Sequence, residues 1–478
     1  MDSRQVDLFV NTYVEALQDQ NAALFAGAGL SIPAGVVDWK ELMRSIAEDI
    51  GLDVDKEHDL ITVAQFHVNE RGGRHRINQT LVYEFSSRAS LTDNHAILAS
   101  LPIRTFWTTN YDTLIEDALH KAHKKPDVKN TVENLAITVP RRDAVVYKMH
   151  GDVSQPDKAV VTRDDYEAYN STRQLFSTVL QGDLVSKTFL FIGFSFNDPN
   201  LSYILSRIRV LLGENRREHY CLLRKVQRQD FVTTKDFNYA LAKQDMQVRD
   251  LRRYGINGII LDNHSQVTEI LRRIARKYKM SRVFISGSAR EYKPWNVWDA
   301  QRLIQGLSEA LIREGFGIVS GFGLGVGAHV INGVLEQLYR EGTQLLDDRI
   351  VLRPFPFAID DPEERKRKWK TYREEMMSQS GIAVFLFGNK ADPSGNVVFA
   401  DGMEEEFTIA VQGGIMVVPI GCTGSMAEEL HRRVLDKFDH FYPDYGYKRM
   451  MKDFSRIDKP DNLISRIVEF VKKLRANA

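Results

Sequence analysis

Two consecutive α/β domains, each a doubly wound parallel sheet, are predicted by three features of this 478-residue sequence. Short apolar runs of strand length alternate with segments of helical periodicity. Several of these runs end in small or polar residues, as the carboxyl edge of a parallel sheet does where open α/β folds bind ligands. The alternation then restarts near residue 280, dividing the chain into 1–280 and 281–478. Length alone asks for the same division, because a single core rarely grows beyond roughly 250–300 residues.

Taken in order, Val6, Phe9, Val10, Tyr13, Val14 and Leu17 recur at helical spacing and predict a helix over 3–19. The strand 22–26 follows and ends in Gly27-Ala28-Gly29-Leu30-Ser31. Helical patterns cover 39–50, 60–70 and 76–86. Strands are predicted at 103–108, 145–149, 188–193, 219–223 and 258–261, with helices over 112–122 and 200–212 between them. The basic, amphipathic stretch 265–278 reads as a closing or connecting helix. In the second half, a strand at 282–286 ends in Gly287-Ser288, and a helix covers 300–313. A strand at 316–320 ends in the glycine-rich run 321–328, and further strands fall at 349–354, 381–387 and 415–420.

Composition narrows the function classes. Hydrophobic residues make up 43% and charged residues 27%, the balance of an ordinary globular chain. Lys plus Arg equals Asp plus Glu at 64 each, so nothing global points to a polyanion, and nucleic acid is not an expected partner. No apolar run approaches the roughly 18–20 residues of a membrane span, so no membrane partner is expected. The first residues carry no signal-peptide pattern, and the expected location is the cytoplasm. The two cysteines, Cys221 and Cys422, exclude a disulfide framework and a four-cysteine zinc site, and no metal is expected.

The chemistry concentrates at the strand ends. Gly27 and Gly29 permit unusual φ values and close backbone approach, Ala28 leaves room for phosphates, and Ser31 offers a hydroxyl near a helix start. Asn110 brings a donor and an acceptor that can hold ribose hydroxyls or a water, with a mere helix cap as the lesser alternative. Asp112 brings a carboxylate that also suits a helix start. His150 brings an imidazole, a group that ordinarily titrates near pH ~6.5 and accepts protons at neutral pH, although a structural histidine is the plainer alternative.

Gly27-Ala28-Gly29-Leu30-Ser31, Thr109-Asn110-Tyr111-Asp112, His150-Gly151 and Gly193-Phe194-Ser195 resemble, in order, the nicotinamide–adenine dinucleotide (NAD) signature of the sirtuins. The resemblance covers about residues 5–260. It implies that Asn110 and His150 are catalytic, that Asp112 lies near the nicotinamide carboxamide, and that Gly193 and Ser195 meet the adenosine ribose. Asp38, with Trp39, stands where sirtuins carry an acidic–aromatic pair. Protein-deacylating sirtuins carry four zinc cysteines that support the substrate lobe, and this chain cannot. The chemistry left is cleavage of the nicotinamide–ribose bond with water as acceptor, through an oxocarbenium-like transition state as in glycoside hydrolysis.

The second half carries G-x-G-x-x-A at Gly323, Gly325 and Ala328 after a strand, a Rossmann-like dinucleotide pattern without a convincing acidic residue about 20 positions on. Arg373 on a helix, the strand 381–387 and the acidic helix start 401–406 resemble the SLOG family, which includes cytokinin-activating phosphoribohydrolases and lysine-decarboxylase-like proteins. That resemblance implies a phosphate contact for Arg373 and a ribose contact for Glu405, over the turns Gly287-Ser288 and Gly323–Gly327. The family's P-G-G-x-G-T loop is replaced by Phe387-Gly388-Asn389-Lys390 and an insertion, so the domain is expected to sense a nucleotide rather than act on one, with Lys390 as a further phosphate contact.

The order sirtuin-like domain, then SLOG domain, resembles the Thoeris anti-phage defence effectors. The resemblance implies an NAD+ hydrolase gated by a cyclic ADP-ribose isomer, which a partner with a Toll/interleukin-receptor (TIR) domain makes during infection. It also implies a homo-oligomer, a tetramer or larger. Two other classes stay open on the residues alone: an NAD or ADP-ribose binding module without chemistry, and a phosphoribohydrolase in the second domain.

Overall fold

The structure, a computed structural model, describes residues 3–86, 89–194, 199–213, 217–342, 349–355, 359–443 and 446–477. The chain separates into two units, Met1–Ala275 and Arg276–Ala478.

In the first unit the helix Ser3–Gln18 buries the stripe the sequence predicts, and Tyr13 donates its hydroxyl to the Ala23 carbonyl at 3.0 Å. That bond seats the helix on β1 (Ala22–Ala26), whose five residues are all buried. The other strands are β2 (Thr105–Thr108), β3 (Pro126–Lys129), β4 (Ala144–Lys148), β5 (Thr188–Ile192), β6 (His219–Arg224) and β7 (Ile256–Leu261). They form one parallel sheet in the order β3-β4-β2-β1-β5-β6-β7. The order reverses between β1 and β5, and at such a switch point open α/β sheets leave a crevice beyond their carboxyl ends. A side cluster of Leu42, Met43, Ile46, Val63, Ile77 and Leu81, from the helices Trp39–Asp49, Leu60–Arg71 and His75–Phe85, packs against Tyr111 and Val161.

β3 has no counterpart among the predicted strands. It is short, lies at the sheet edge, begins with proline and alternates charge with apolar residues, so neither periodicity nor hydrophobicity announces it. Its charges are paired: Asp127 holds Lys129 at 2.8 Å and Arg142 at 2.5 Å.

The second unit repeats the plan with β8 (Arg282–Ser288), β9 (Gly317–Ser320), β10 (Ile350–Leu352), β11 (Ile382–Phe387) and β14 (Met416–Pro419), parallel in the order β10-β9-β8-β11-β14. The insertion after Phe387 folds as an antiparallel hairpin of β12 (Asn389–Ala391) and β13 (Val397–Phe399). Both units are thus Rossmann-like α/β sheets.

One stability prediction follows from β6. His219 is 3% exposed, and its Nδ1 accepts the Phe189 N–H at 3.2 Å, so the ring is held neutral. Burial pushes its pKa down to about 3. The unfolded chain therefore binds a proton below about pH 6.5 that the folded chain refuses, and stability falls as pH drops through that value. Between pH 7 and 5 the loss is about 2 kcal/mol for this group. In urea unfolding of the first unit, His219→Asn, which can still accept the Phe189 N–H, should show a shallower pH dependence by about that amount. Equal slopes would mean that His219 does not set it.

Candidate active site

At the switch point β1 turns at Gly27 into the single helical turn Ala28–Ser31, and β5 turns beside it at Gly193. Two hydrogen bonds join the exits: Gly27 N–H donates to the Ile192 carbonyl and Gly29 N–H to the Gly193 carbonyl, each at 2.9 Å. The expectation of unusual φ at Gly27 is corrected here, since Gly27 is extended at φ −111° and ψ 179°. What excludes a side chain is the neighbouring turn. A Cβ on Gly27 would lie 2.4 Å from the Gly193 oxygen, and one on Gly29 would lie 2.7 Å from the Gly193 Cα. Gly193 has φ +62°, and its Cβ would meet the Leu30 nitrogen at 2.2 Å.

In front of this crossing lies a cavity of about 800 Å³. Its lining includes Gly27, Ala28, Ser31, Asn110, Asp112, His150 and Gly193. The turns after β1, β2, β4 and β5 thus converge on one space, within the range of about 300–1,000 Å³ usual for small-molecule sites. A second cavity of about 490 Å³ lies against Gly29, Leu30, Asn94, Arg224, Asn263 and His264, and Gly193 and Phe194 line both.

Asn110, Asp112 and His150 are each held from behind. Asn110 is 8% exposed and donates from Nδ2 to the Gly27 carbonyl at 3.1 Å and to the Ser31 hydroxyl at 3.0 Å. Its own N–H donates to the Thr108 hydroxyl at 2.9 Å. The amide is thereby oriented by the glycine turn, and it does not act as a helix cap. Asp112 accepts the Leu114 N–H on Oδ1 at 3.0 Å, which is the helix-start role, while its buried Oδ2 has no hydrogen-bond partner among the described residues. An unpartnered buried carboxylate oxygen on a cavity wall is costly unless a ligand or water meets it. His150 is buried, its carbonyl accepts the Val160 N–H at 2.9 Å, and its ring stands edge-on to Tyr166 at 5.5 Å and to Tyr169 at 6.2 Å. Behind it, Arg173 donates to the carbonyls of Asn130, Met149 and Lys158, and Tyr169 donates to that of Met149.

One of the sequence-derived residues stands apart. Asp38 is the N-cap of the helix Trp39–Asp49 and accepts the Glu41 N–H at 2.8 Å, while its neighbours Val37 and Trp39 line the cavity. Ser195 lies outside the described residues. Sequence reading did not single out His58, Asp59, Arg163, Tyr166 and Glu167, which also line the cavity. The signals at hand were the cap Asp59 and the capping box opened by Thr162, both of which read as helix starts only.

In the second unit the turns again interlock. A Cβ on Gly323 would lie 2.0 Å from the Gly287 oxygen, and one on Gly325, at φ +71°, would lie 2.2 Å from the Ala289 oxygen. Gly388 N–H donates to the Ser288 carbonyl at 2.9 Å. Gly287, Ser288, Gly323 and Gly325 are thus gathered at one end of the sheet. Arg373 is buried, with its guanidinium 4.9 Å over the Phe355 ring and 5.8 Å from that of Trp369. It donates to Glu405 at 2.6 Å and lies 3.6 Å from Glu406. Glu406, part of the acidic helix start but given no role by the sequence, accepts the Ser286 hydroxyl at 2.6 Å, and burial raises its carboxyl above the ordinary range. Lys390 pairs with Asp401.

A crevice at the switch point of a parallel sheet, walled by interlocked glycine turns and an oriented amide, carboxylate and imidazole, defines a Rossmann-like α/β protein with a candidate small-molecule site, followed by a second Rossmann-like unit. Residues 104–249 match the SIR2-like domain family, and residues 266–474 match the Sir2- and TIR-associating SLOG family. The chain is 48% identical over 474 residues to the NAD(+) hydrolase ThsA of Bacillus cereus (strain MSX-D12), covering 98% of each. It is 45% identical over 480 residues to the NAD(+) hydrolase ThsA of Acinetobacter baumannii (strain 532279), covering 99% of this chain and all of that one. It is 26% identical over 211 residues to Defense-associated sirtuin 2 of Bacillus subtilis, across 42% of this chain and 20% of that one. The chain belongs to the ThsA family of NAD(+) hydrolases.

Proposed function

We propose that the first unit hydrolyses NAD+ to nicotinamide and ADP-ribose, and that the second unit binds a cyclic ADP-ribose isomer which switches that reaction on. The observation that carries the first part is the convergence of Asn110, Asp112 and His150 on one cavity whose floor is the Gly27–Ser31 turn. Full-length similarity to proteins named NAD(+) hydrolase supports it. NAD+ is the substrate, and its nicotinamide riboside half occupies the first cavity. Gly193, which lines both cavities, meets the adenosine ribose, and the adenine extends into the second.

The proposed chemistry needs no redox step. Water attacks C1′ of the nicotinamide ribose, and the N-glycosidic pair leaves on the pyridine nitrogen, which discharges the pyridinium. The proton of the attacking water passes to His150 and then to solvent. Asn110 holds the ribose hydroxyls or that water, and Asp112 Oδ2 meets the carboxamide. The products are nicotinamide, ADP-ribose and a proton. Release of nicotinamide by the purified chain tests this reading, and NAD+ binding without release would leave a sensor in place of a hydrolase.

For the second part, the pairing of Arg373 with the partly exposed Glu405 supports a site that a phosphate enters by displacing a carboxylate. The match to a family described as Sir2- and TIR-associating supports a TIR-domain protein as the maker of the activator. The reading takes the chain as a cytoplasmic homotetramer or larger. Among the described residues no helix is long and apolar enough to cross a membrane, and no group of three or more His, Cys, Asp or Glu could hold a metal ion.

Charge-assisted contacts to phosphate contribute about 1.5–3 kcal/mol each. Arg373→Ala should therefore raise the half-activating concentration of the isomer by about one to two orders of magnitude, with a similar maximal rate at saturation. An unchanged half-activating concentration would remove Arg373 from the site.

A further inference from the structure

Lys148, the last residue of β4, has no exposed surface. Its ammonium donates to the main-chain carbonyl of Asp112 and to Glu116 Oε1 at 3.0 Å, and it lies 3.8 Å from Asp152 Oδ2. Glu116 belongs to the helix Leu114–Lys121 that follows β2, and Asp152 to the turn that carries His150. Asp152 is itself held, accepting from Asn130 at 3.0 Å and from the Ser154 N–H at 2.9 Å. One buried cation thus ties the exits of β2 and β4 together from beneath. Those exits bear Asn110 and Asp112 on one side and His150 on the other.

A buried ammonium is expensive, and an apolar replacement of a buried ion pair is often as stable or more so. Fold stability alone gives little reason for a lysine here. The geometry offers another reason. Main-chain bonds already join the two exits, from Met149 N–H to the Thr108 carbonyl and from Val153 N–H to the Tyr111 carbonyl, each at 3.1 Å. Neither reaches Asp112, which sits where the chain leaves the sheet, with Oδ1 bound locally and Oδ2 unpartnered on the cavity wall. Among the described residues, the bond from Lys148 is the contact that fixes the Asp112 carbonyl from β4.

We propose that Lys148 is a positioning residue for the reaction: it pins the Asp112 main chain so that Oδ2 faces the nicotinamide side of the cavity in register with His150. This rests on the hydrolase reading above. Lys148 touches no substrate, and its effect runs through Asp112.

The test uses the full chain and two variants, Lys148→Met and Lys148→Met/Glu116→Leu. The single variant leaves Glu116 buried without its cation, so it should lose stability as well as turnover. The double variant replaces the pair with apolar side chains of similar size and should melt near the parent. A misplacement of about 1 Å costs on the order of 100-fold in rate. The expected result for the double variant is a kcat lowered about 10–100-fold with KM for NAD+ within about threefold, because binding along the rest of the dinucleotide is untouched. A kcat that recovers together with the melting temperature would reduce Lys148 to a structural residue and overturn the proposal. A KM that rises while kcat holds would do the same. A parent that releases no nicotinamide under any condition would overturn the hydrolase reading, and this proposal with it.

Discussion

Asn110→Ala and His150→Ala each lower nicotinamide release by about 10²–10⁴-fold, the usual cost of removing a positioned proton acceptor or the group that holds the reacting water. Both chains stay folded. Asn110 gives up two hydrogen bonds to the glycine turn, from Nδ2 to the Gly27 carbonyl and to the Ser31 hydroxyl, at a net cost of about 1–3 kcal/mol. His150 leaves a gap on a wall that already faces a cavity. Release of nicotinamide over time, measured beside the thermal midpoint, separates loss of chemistry from loss of fold. Turnover within about threefold of the parent in either variant would withdraw that residue from the reaction.

Gly193→Ala has the second large effect, on stability and activity together. The new Cβ would stand 2.2 Å from the Leu30 nitrogen and 2.5 Å from the Gly29 carbonyl carbon, both main-chain atoms that cannot swing aside. The substitution also forces alanine to φ +62°, so overpacking of about 1–3 kcal/mol adds to about 1–2 kcal/mol of left-handed strain. Gly35→Ala supplies the control. Gly35 shares the positive φ, at +93°, but a Cβ there meets nothing within 4 Å. In urea unfolding of the first unit, Gly193→Ala should cost about 2–5 kcal/mol and Gly35→Ala about 1–2 kcal/mol. Equal losses would mean that the crossing of the two turns is looser than its hydrogen bonds imply.

The glycines of the two crossing turns also show how far the sequence could be read. That Gly27, Gly29 and Gly193 matter was visible from their places after apolar runs. The physical reason was not, because it lies in the contact of two turns more than 160 residues apart along the chain. Central strands such as β1 and β5 are buried along their whole length and read as apolar runs, so they were placed to within a residue. The edge strand β3 was invisible for the opposite reason, since its alternating charges Asp127 and Lys129 are buried against each other, with Arg142 beside them. Within the site, Asn110, Asp112 and His150 stood in recognisable segments. Lys148 and Glu116 did not draw notice, because a lysine at a strand end and a glutamate in a first helical turn are ordinary surface residues until the fold buries them. In the second unit Arg373 was legible as a helix arginine before a strand, and Trp369 stands one turn earlier on the same helix, yet Phe355 comes from a separate segment that no local pattern joins to it.

The central claim is a gated NAD+ hydrolase, and one assay meets it most directly. The purified full chain is incubated with NAD+ alone and with each of a panel of cyclic ADP-ribose isomers, and nicotinamide and ADP-ribose are quantified against His150→Ala. The expected result is release of both products in equal amounts by the parent in the presence of one isomer, little release without it, and none from the variant. Equal release with and without every isomer would contradict the gate. Absence of release under all conditions would contradict the hydrolase itself.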